Sequence, residues 1–296
     1  MATTREIVKR RKSVTNIHKI TKTMEMIATA RFKKAFDRAV GAKPYTQKIS
    51  ELAGALASGD EKVEHPLLRV NEGSQRTVVL VLTSNRGLCG GYNSNINRLA
   101  LQHIEELKGN GQEIDLRVSG KKGQQALRYK GYRANVNYTQ FDDKTTYAMV
   151  EELANEFIDW YSRREIDAVR VVYTRFISSA RHTAEVLHLL PLSRLEGEPQ
   201  PGKKGAEETG IEFFEFYPSA REILQELIPT TVRTRLFQCF TDAIVSEQVA
   251  RMSAMKAATD NAEQMIGALT RQYNRARQSQ ITGELLDILG GAEAIK

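Results

Sequence analysis

Apolar residues recur at helical spacing through the first 57 residues, where the only proline is Pro44. They follow one another mostly in steps of seven, three and four. The positions are Ile7, Val14, Ile17, Met24, Ile27, Ala28 and Ala35. Thr21, Arg31 and Arg38 interrupt this stripe, which is narrow. A narrow apolar stripe on a long helix favours a two-stranded coiled coil over burial in a thick core.

The last part of the chain repeats this pattern. Apolar and small residues step by three or four at Val245, Val249, Met252, Met255, Thr259, Ala262, Ile266, Leu269, Tyr273 and Ala276. No proline follows Pro229, so the pattern predicts a helix over about 231–288, on the order of 85 Å long at 1.5 Å per residue. Two long helices with narrow seams, one at each end of a chain, most simply pair with each other in an antiparallel coiled coil.

The middle of the chain alternates predicted strands with predicted helices. Strands are predicted at 77–83, 114–119, 134–138, 168–176 and 184–190, and helices at 93–108, 124–129 and 147–163. The run at 77–83 is continuously apolar, which is typical of a strand buried on both faces. The alternation predicts a Rossmann-like α/β domain with a largely parallel sheet. The expected division is a coiled-coil helix at 1–57, the α/β domain at 75–218 and a second coiled-coil helix at 219–296.

Positive charge is concentrated at the start of the chain, whose formal net charge is +7. Residues 1–50 hold 13 Lys and Arg against 3 Asp and Glu, whereas residues 51–230 hold 22 against 26. A basic segment of this kind indicates an acidic partner, which can be a nucleic acid, an anionic lipid or an acidic protein surface. Nucleic acid stays open as the alternative partner. Against it, no aromatic residues alternate with the basic ones, and no helix-turn-helix or RNP motif is present.

One loop carries candidate chemistry. Residues 83–93 (TSNRGLCGGYN) form a predicted strand–turn–helix with three glycines, which could hold a phosphate or need glycine only for a tight turn. The loop matches neither the P-loop nor the dinucleotide-binding pattern. Cys89 is the candidate nucleophile of an alternative α/β enzyme, but no His or Asp partner can be assigned to it. The two cysteines and five histidines have no metal-ligand spacing, so we expect no catalytic site, metal or cofactor.

Five ordered stretches resemble the ATP synthase gamma family. They are Ile20-Thr21-Lys22 with Met24-Glu25-Met26, the loop from Arg86 to Asn93, Ser246-Glu247 with the run from Arg251 to Ala262, the run from Tyr273 to Gln278, and a C-terminal segment of Ile281-Thr282, Glu284, Asp287 and Gly291-Ala292. The resemblance spans the whole chain. It implies a non-catalytic rotor of the F1 sector, which couples ion flow through a membrane c ring to ATP synthesis or hydrolysis in a ring of alternating alpha and beta subunits.

The resemblance also implies partner contacts for particular residues. Contacts with the alpha–beta ring are expected at Met24, Arg251, Arg277, Gln278, Thr282, Glu284, Leu285 and Leu286. A basic face toward an acidic segment of beta is expected at Lys9, Arg10, Arg11, Lys12, Lys33 and Lys34. Contact with the c ring or the epsilon subunit is expected at Phe214, Glu215, Phe216 and Tyr217. For any one of these residues a plain structural role stays open.

The expected location is the cytoplasmic face of a bacterial inner membrane, as a peripheral protein. The N-terminus lacks the apolar segment of a secretory signal, and no window approaches the ~20 apolar residues of a membrane span. No cysteine occurs between Cys89 and Cys239, so the thiol switch of chloroplast members is not expected. Apolar residues close to the C-terminus, such as Leu285 and Leu286, would have nothing of their own chain to pack against and so require a partner.

Overall fold

A computed structural model describes residues 4–57, 65–71, 73, 75–192 and 220–293, without side chains at 40–57, 220–221, 224 and 291–293. The chain divides into two compact units, one of residues 1–30 with 251–296 and one of residues 31–250. Two long helices, α1 (Thr4–Ala57) and α5 (Ala220–Glu293), contribute to both units. Within the described residues, no helix is both long enough and apolar enough to cross a membrane.

The 31–250 unit contains a five-stranded sheet. Its elements between the long helices are β1 (Arg76–Leu82), α2 (Tyr92–Gly109), β2 (Glu113–Ser119), α3 (Lys121–Tyr129), β3 (Val136–Tyr138), α4 (Tyr147–Ser162), β4 (Ala168–Phe176) and β5 (His182–Leu190). The strand order is β3-β2-β1-β4-β5; β5 alone pairs antiparallel among these strands. The order 3-2-1-4 of the parallel strands is that of a Rossmann-type sheet, which confirms the predicted fold class.

Alternate residues of the central strand β1 point into two different cores. Val78, Leu80 and Leu82 pack on one face with α4 and with residues 228–243 of α5. Val79 and Val81 pack on the other face with α2 and α3. Because both faces are covered by helices, β1 is apolar at nearly every position, as strands buried on both sides are.

Thr83, just after β1, fixes the start of α3. Its Oγ1 donates a 2.7 Å hydrogen bond to the carbonyl of Ser119 and accepts a 3.0 Å bond from the N–H of Gly123. A Cβ atom at Gly123 would lie 2.4 Å from Thr83 Oγ1 and 2.7 Å from its Cγ2. Gly120 has φ +99, and a Cβ there would lie 2.2 Å from the carbonyl oxygen of Thr83. Both glycines are therefore needed for this close approach.

A cluster of basic and titratable side chains lies where α2 covers β4 and β5. Arg170 of β4 contacts the ring of His188 on β5, and His103 of α2 lies 3.5 Å from the carboxylate of Glu106. Burial, and then the charge of Arg170, hold the pKa of both His103 and His188 below the usual value for histidine. The cluster therefore resists the uptake of further positive charge.

The unit of residues 1–30 and 251–296 is an antiparallel helix pair. The side-chain oxygens of Thr4 and Gln280 lie 3.3 Å apart. The guanidinium group of Arg11 lies 5.3 Å from the centre of the Tyr273 ring. Farther along, the Oγ1 atoms of Thr21 and Thr259 lie 2.9 Å apart. Residue numbers rise along α1 as they fall along α5, so the predicted antiparallel pairing is confirmed.

Buried positions in this helix pair follow a coiled-coil repeat. On α1 the buried residues are seven apart: Ile7, Val14, Thr21 and Ala28. On α5 the buried and half-buried residues alternate in steps of four and three: Met255, Thr259, Ala262, Ile266, Leu269, Tyr273 and Ala276. An average step of 3.5 residues keeps one seam facing the partner helix.

The predicted start of the last helix was too late. The helix begins at Ala220 and continues through Pro229, rather than starting near 231. A proline removes one N–H from the helix and costs about 3 kcal/mol in a helix interior. Ile228, Val232 and Leu236 are fully buried in the core beside α4, and we infer that this burial offsets the cost of Pro229.

Replacing Gly123 by Ala should lower the thermal unfolding midpoint of the full chain, although Ala is normally the better helix former. The new Cβ would collide with Thr83, and overpacking of this kind costs about 1–3 kcal/mol. Gly109, the last residue of α2, provides the matched control, because a Cβ added there would meet no atom within 4 Å. Gly109→Ala should leave the midpoint unchanged or raise it. A Gly123→Ala chain as stable as Gly109→Ala would show that α3 does not approach Thr83 this closely.

Acidification should destabilise the α/β domain through His103 and His188. Histidine in the unfolded chain has a pKa of about 6.5. Above that pH both histidines are neutral in the folded and in the unfolded protein, so the free energy of unfolding has its full value. As the pH falls through that pKa the unfolded chain binds protons that the folded chain resists, so the urea midpoint should fall. The double variant His103→Gln/His188→Gln should flatten this dependence, whereas His182→Gln, at an exposed position of β5, should preserve it. Equal pH profiles for the wild type and the double variant would contradict the assignment.

Candidate partner-binding surfaces

The basic face predicted on α1 is exposed in the structure. Lys9, Arg10 and Lys12 lie on the solvent side of the helix pair. Within the described residues, none of these three side chains forms an ion pair; the ion pair found on this part of α1 joins Lys22 and Glu25 at 3.3 Å. Their positive charge is thus available to a partner. Arg11 differs, because it is half-buried over the ring of Tyr273.

Lys33 and Lys34 belong to the 31–250 unit, where α1 packs against the end of β4. Phe32 and Phe36 contact Phe176 with ring centres 6.3 and 5.9 Å apart. Arg31 forms a 2.9 Å salt bridge with Asp143. These contacts hold one side of the helix against the domain, and the two lysines are exposed.

The far end of α5 exposes an apolar surface. Five large apolar side chains in residues 281–290 are between 44% and 68% exposed: Ile281, Leu285, Leu286, Ile288 and Leu289. A soluble surface rarely carries so many contiguous apolar side chains unless a partner covers them. The predicted contacts Thr282 and Glu284 lie within this segment and are exposed, and Glu284 accepts a 3.0 Å hydrogen bond from Gln280.

The remaining predicted contacts differ in their exposure. Arg277 and Gln278 are exposed on α5, and Met24 is half-buried on α1. Arg251 is only 8% exposed, so for this residue the structure favours the structural role that the sequence left open. Phe214, Glu215, Phe216 and Tyr217 lie outside the described residues.

A second apolar row on α1 was not recognised as a surface in the sequence. The sequence pattern placed Ile17 and Ile27 in the apolar stripe that pairs with α5, but their side chains are 51% and 48% exposed. Ile20 is 59% exposed. With Met24 these residues are spaced by three and four, so they share one face of the helix. The sequence does contain a signal for this row, because Ile20 and Ile27 are seven residues apart. This second repeat lies one position before the buried residues Thr21 and Ala28. We expect a partner to cover this row as well.

The glycine loop after β1 is a tight turn closed by side chains. Ser84 Oγ donates a 2.6 Å hydrogen bond to the carbonyl of Arg86, and Asn93 Oδ1 accepts a 3.0 Å bond from the N–H of Ser84. Cys89 is 2% exposed, and its Sγ lies 3.1 Å from Nδ2 of Asn93. Gly90 has φ +56, a conformation that glycine adopts without strain. These contacts support the reading of the loop as a turn.

Comparison with known proteins places the whole chain in one family. A family model described as "ATP synthase" matches residues 3–295. An ATP synthase gamma chain from Rhodopirellula baltica is 48% identical over 296 residues, covering 100% of both chains. One from Leptospira biflexa is 40% identical over 295 residues, again covering 100% of both.

Solved structures share the fold. A chain from the Euglena gracilis mitochondrial ATP synthase, in an OSCP/F1/c-ring structure, has a TM-score of 0.65 at 18% identity, over 99% of this chain and 94% of that one. A chain from the rotor of the same enzyme has a TM-score of 0.62 at 16% identity, over 94% and 98% of the two chains. Matches of this length and identity to curated gamma chains show that the chain belongs to the ATP synthase gamma family.

Proposed function

We propose that this chain is the rotor of an F-type ATP synthase and couples ion flow through a membrane c ring to ATP synthesis or hydrolysis in the alpha3beta3 ring. Its partners are the alpha and beta subunits, the epsilon subunit and the c ring. It has no catalytic residue, metal or cofactor of its own and takes no small-molecule substrate. The complex lies on the cytoplasmic face of a bacterial inner membrane, with this chain as a peripheral subunit. Family membership over the full length is the observation that carries the proposal.

The coiled coil of residues 4–30 and 251–280 provides surfaces that such a rotor needs. It buries one seam and leaves the rest of both helices to partners. Lys9, Arg10 and Lys12 present positive charge toward an acidic segment of the beta subunit. Exposed ion pairs are worth roughly 0–1 kcal/mol each. They can therefore break and form again during rotation, whereas deep apolar interlocking would hold the helix pair in one orientation.

The apolar end of α5 supports a second contact with the ring. Leu285, Leu286, Ile288 and Leu289 are all more than half exposed. Covering what remains exposed of each would contribute about 1–2 kcal/mol. We propose that this end sits inside an apolar collar formed by the alpha and beta subunits. Arg277, Gln278, Thr282 and Glu284 add hydrogen-bonding contacts nearby, and Met24 contacts the ring from α1.

The remaining predicted contacts complete the proposal. Lys33 and Lys34 provide further basic contacts on α1, and Arg11 contacts the beta subunit from beside the ring of Tyr273. Phe214, Glu215, Phe216 and Tyr217 contact the c ring or epsilon. The chain transmits the position of the c ring to the catalytic sites of its neighbours through these surfaces.

Reversing charge on the basic face should uncouple the complex more than it impairs assembly. We expect Lys9→Glu/Lys12→Glu to lower the number of protons pumped per ATP hydrolysed by about twofold or more, because up to roughly 1 kcal/mol of attraction per pair becomes repulsion. The measurement is ATP-driven acidification of vesicles, compared with ATP hydrolysis by the same preparation. The yield of the assembled complex should stay near that of the wild type.

Lys144→Glu/Arg163→Glu is the matched control, because both side chains are exposed outside the basic face and the change in charge is the same. It should leave coupling unchanged. Normal pumping per ATP in the Lys9/Lys12 variant would overturn the role proposed for the basic face. Loss of salt-sensitive DNA binding in that variant, with pumping intact, would favour the nucleic-acid alternative.

A further inference from the structure

A groove runs between α2 and α3 on the outer side of the α/β domain, with a volume of about 750 Å³. From α2 it is lined by Ser94, Asn97, Arg98, Leu101, Gln102 and Glu105, and from α3 by Lys122, Gln125, Ala126 and Tyr129, with Lys130 just after the end of α3. On each helix these residues are spaced by three and four, so the groove follows one whole face of each. It extends along three turns of α2, or about 16 Å at 1.5 Å per residue. The α3 side is shorter, about 12 Å by the same rise per residue. A groove bordered by two helices is a surface into which a third helix packs.

The floor of the groove is apolar. Leu101 is half-buried against the core between the sheet and α2, and Ala126 is half-buried opposite it on α3. Tyr129, on the next turn of α3, is 88% exposed. An aromatic ring left this exposed beside an apolar floor is typical of an anchor at a protein interface.

The rim of the groove is basic. Arg98, Lys122 and Lys130 lie along it with one acidic residue, Glu105. Within the described residues, none of these three basic side chains is paired with a carboxylate. The helix α3 carries Lys121, Lys122 and Arg128 and no acidic residue. The charge of the rim therefore complements acidic side chains.

We propose that the groove between α2 and α3 binds an α-helix of a partner protein, with acidic side chains flanking an apolar ridge. The ridge covers Leu101, Ala126 and the ring of Tyr129, and the acidic side chains pair with Lys122 and Lys130. This interaction surface is separate from the basic face of α1 and goes beyond the rotor function proposed above.

The test is photo-crosslinking in intact cells whose ATP synthase contains this chain with Tyr129→p-benzoylphenylalanine. After irradiation the complex is purified and the crosslinked peptides are identified by mass spectrometry. We expect adducts on one helical segment rich in Asp and Glu. Adding Lys122→Glu/Lys130→Glu should lower the adduct yield about fivefold or more, whereas Lys144→Glu/Arg163→Glu should leave it within about twofold of its starting value, since exposed charge pairs act locally.

Three results would overturn the proposal. The first is a protein adduct no stronger than that formed by Lys144→p-benzoylphenylalanine, and the second is an adduct on a segment without acidic residues. The third is an equal loss of adduct in Lys122→Glu/Lys130→Glu and in Lys144→Glu/Arg163→Glu. ATP-driven proton pumping, measured on the same preparations, separates the proposed groove partner from the proposed rotor function. Normal pumping without an adduct refutes the groove partner and leaves the rotor function standing.

Discussion

The seven-residue repeat that joins α1 to α5 is the constraint on which the rest of the structure depends. Each turn of the repeat on α1 buries one side chain, and these are small or of medium size: Ile7, Val14, Thr21 and Ala28. A seam this narrow lets two helices pair along their length while most of their surface stays outside. The pair of threonine hydroxyls at positions 21 and 259 adds a polar contact inside the seam, which fixes the register of one helix against the other. A slipped pairing would separate these hydroxyls from each other.

What the seam leaves exposed accounts for the functional surfaces. The α/β domain packs a core on each face of its sheet and needs no partner to bury β1. The coiled coil, by contrast, exposes Ile20, Ile27 and the apolar end of α5 in addition to the basic face of α1. Apolar surface supports affinity, whereas exposed charge supports attraction without a fixed geometry. A rotor that is held by its neighbours and still turns needs both kinds of contact.

Much of this could be predicted from the sequence, for physical reasons. The apolar run of β1 and the long 3.5-residue repeat of α5 are strong local patterns. The predicted bounds of β1 were correct within a residue, and those of α5 within a few turns. Errors arose where tertiary packing decides. Pro229 lies inside a helix because Ile228 and Val232 are buried on either side of it. Ile17 is exposed because its neighbour, the half-buried His18, occupies the second seam position of that heptad. The groove at Asn97 has no sequence signal, since it exists only where α2 and α3 come together.

An engineered disulfide across the seam tests the central claim most directly. Both native cysteines, Cys89 and Cys239, are buried, so oxidation should join only Thr21→Cys to Thr259→Cys, whose Oγ1 atoms lie 2.9 Å apart in the wild type. Small adjustments would bring two sulfur atoms at these positions to bonding distance. If the paired helices turn as one body, the disulfide should form in nearly every chain of the assembled complex and leave ATP-driven proton pumping intact. Failure to form, or a loss of pumping that reduction restores, would contradict the account.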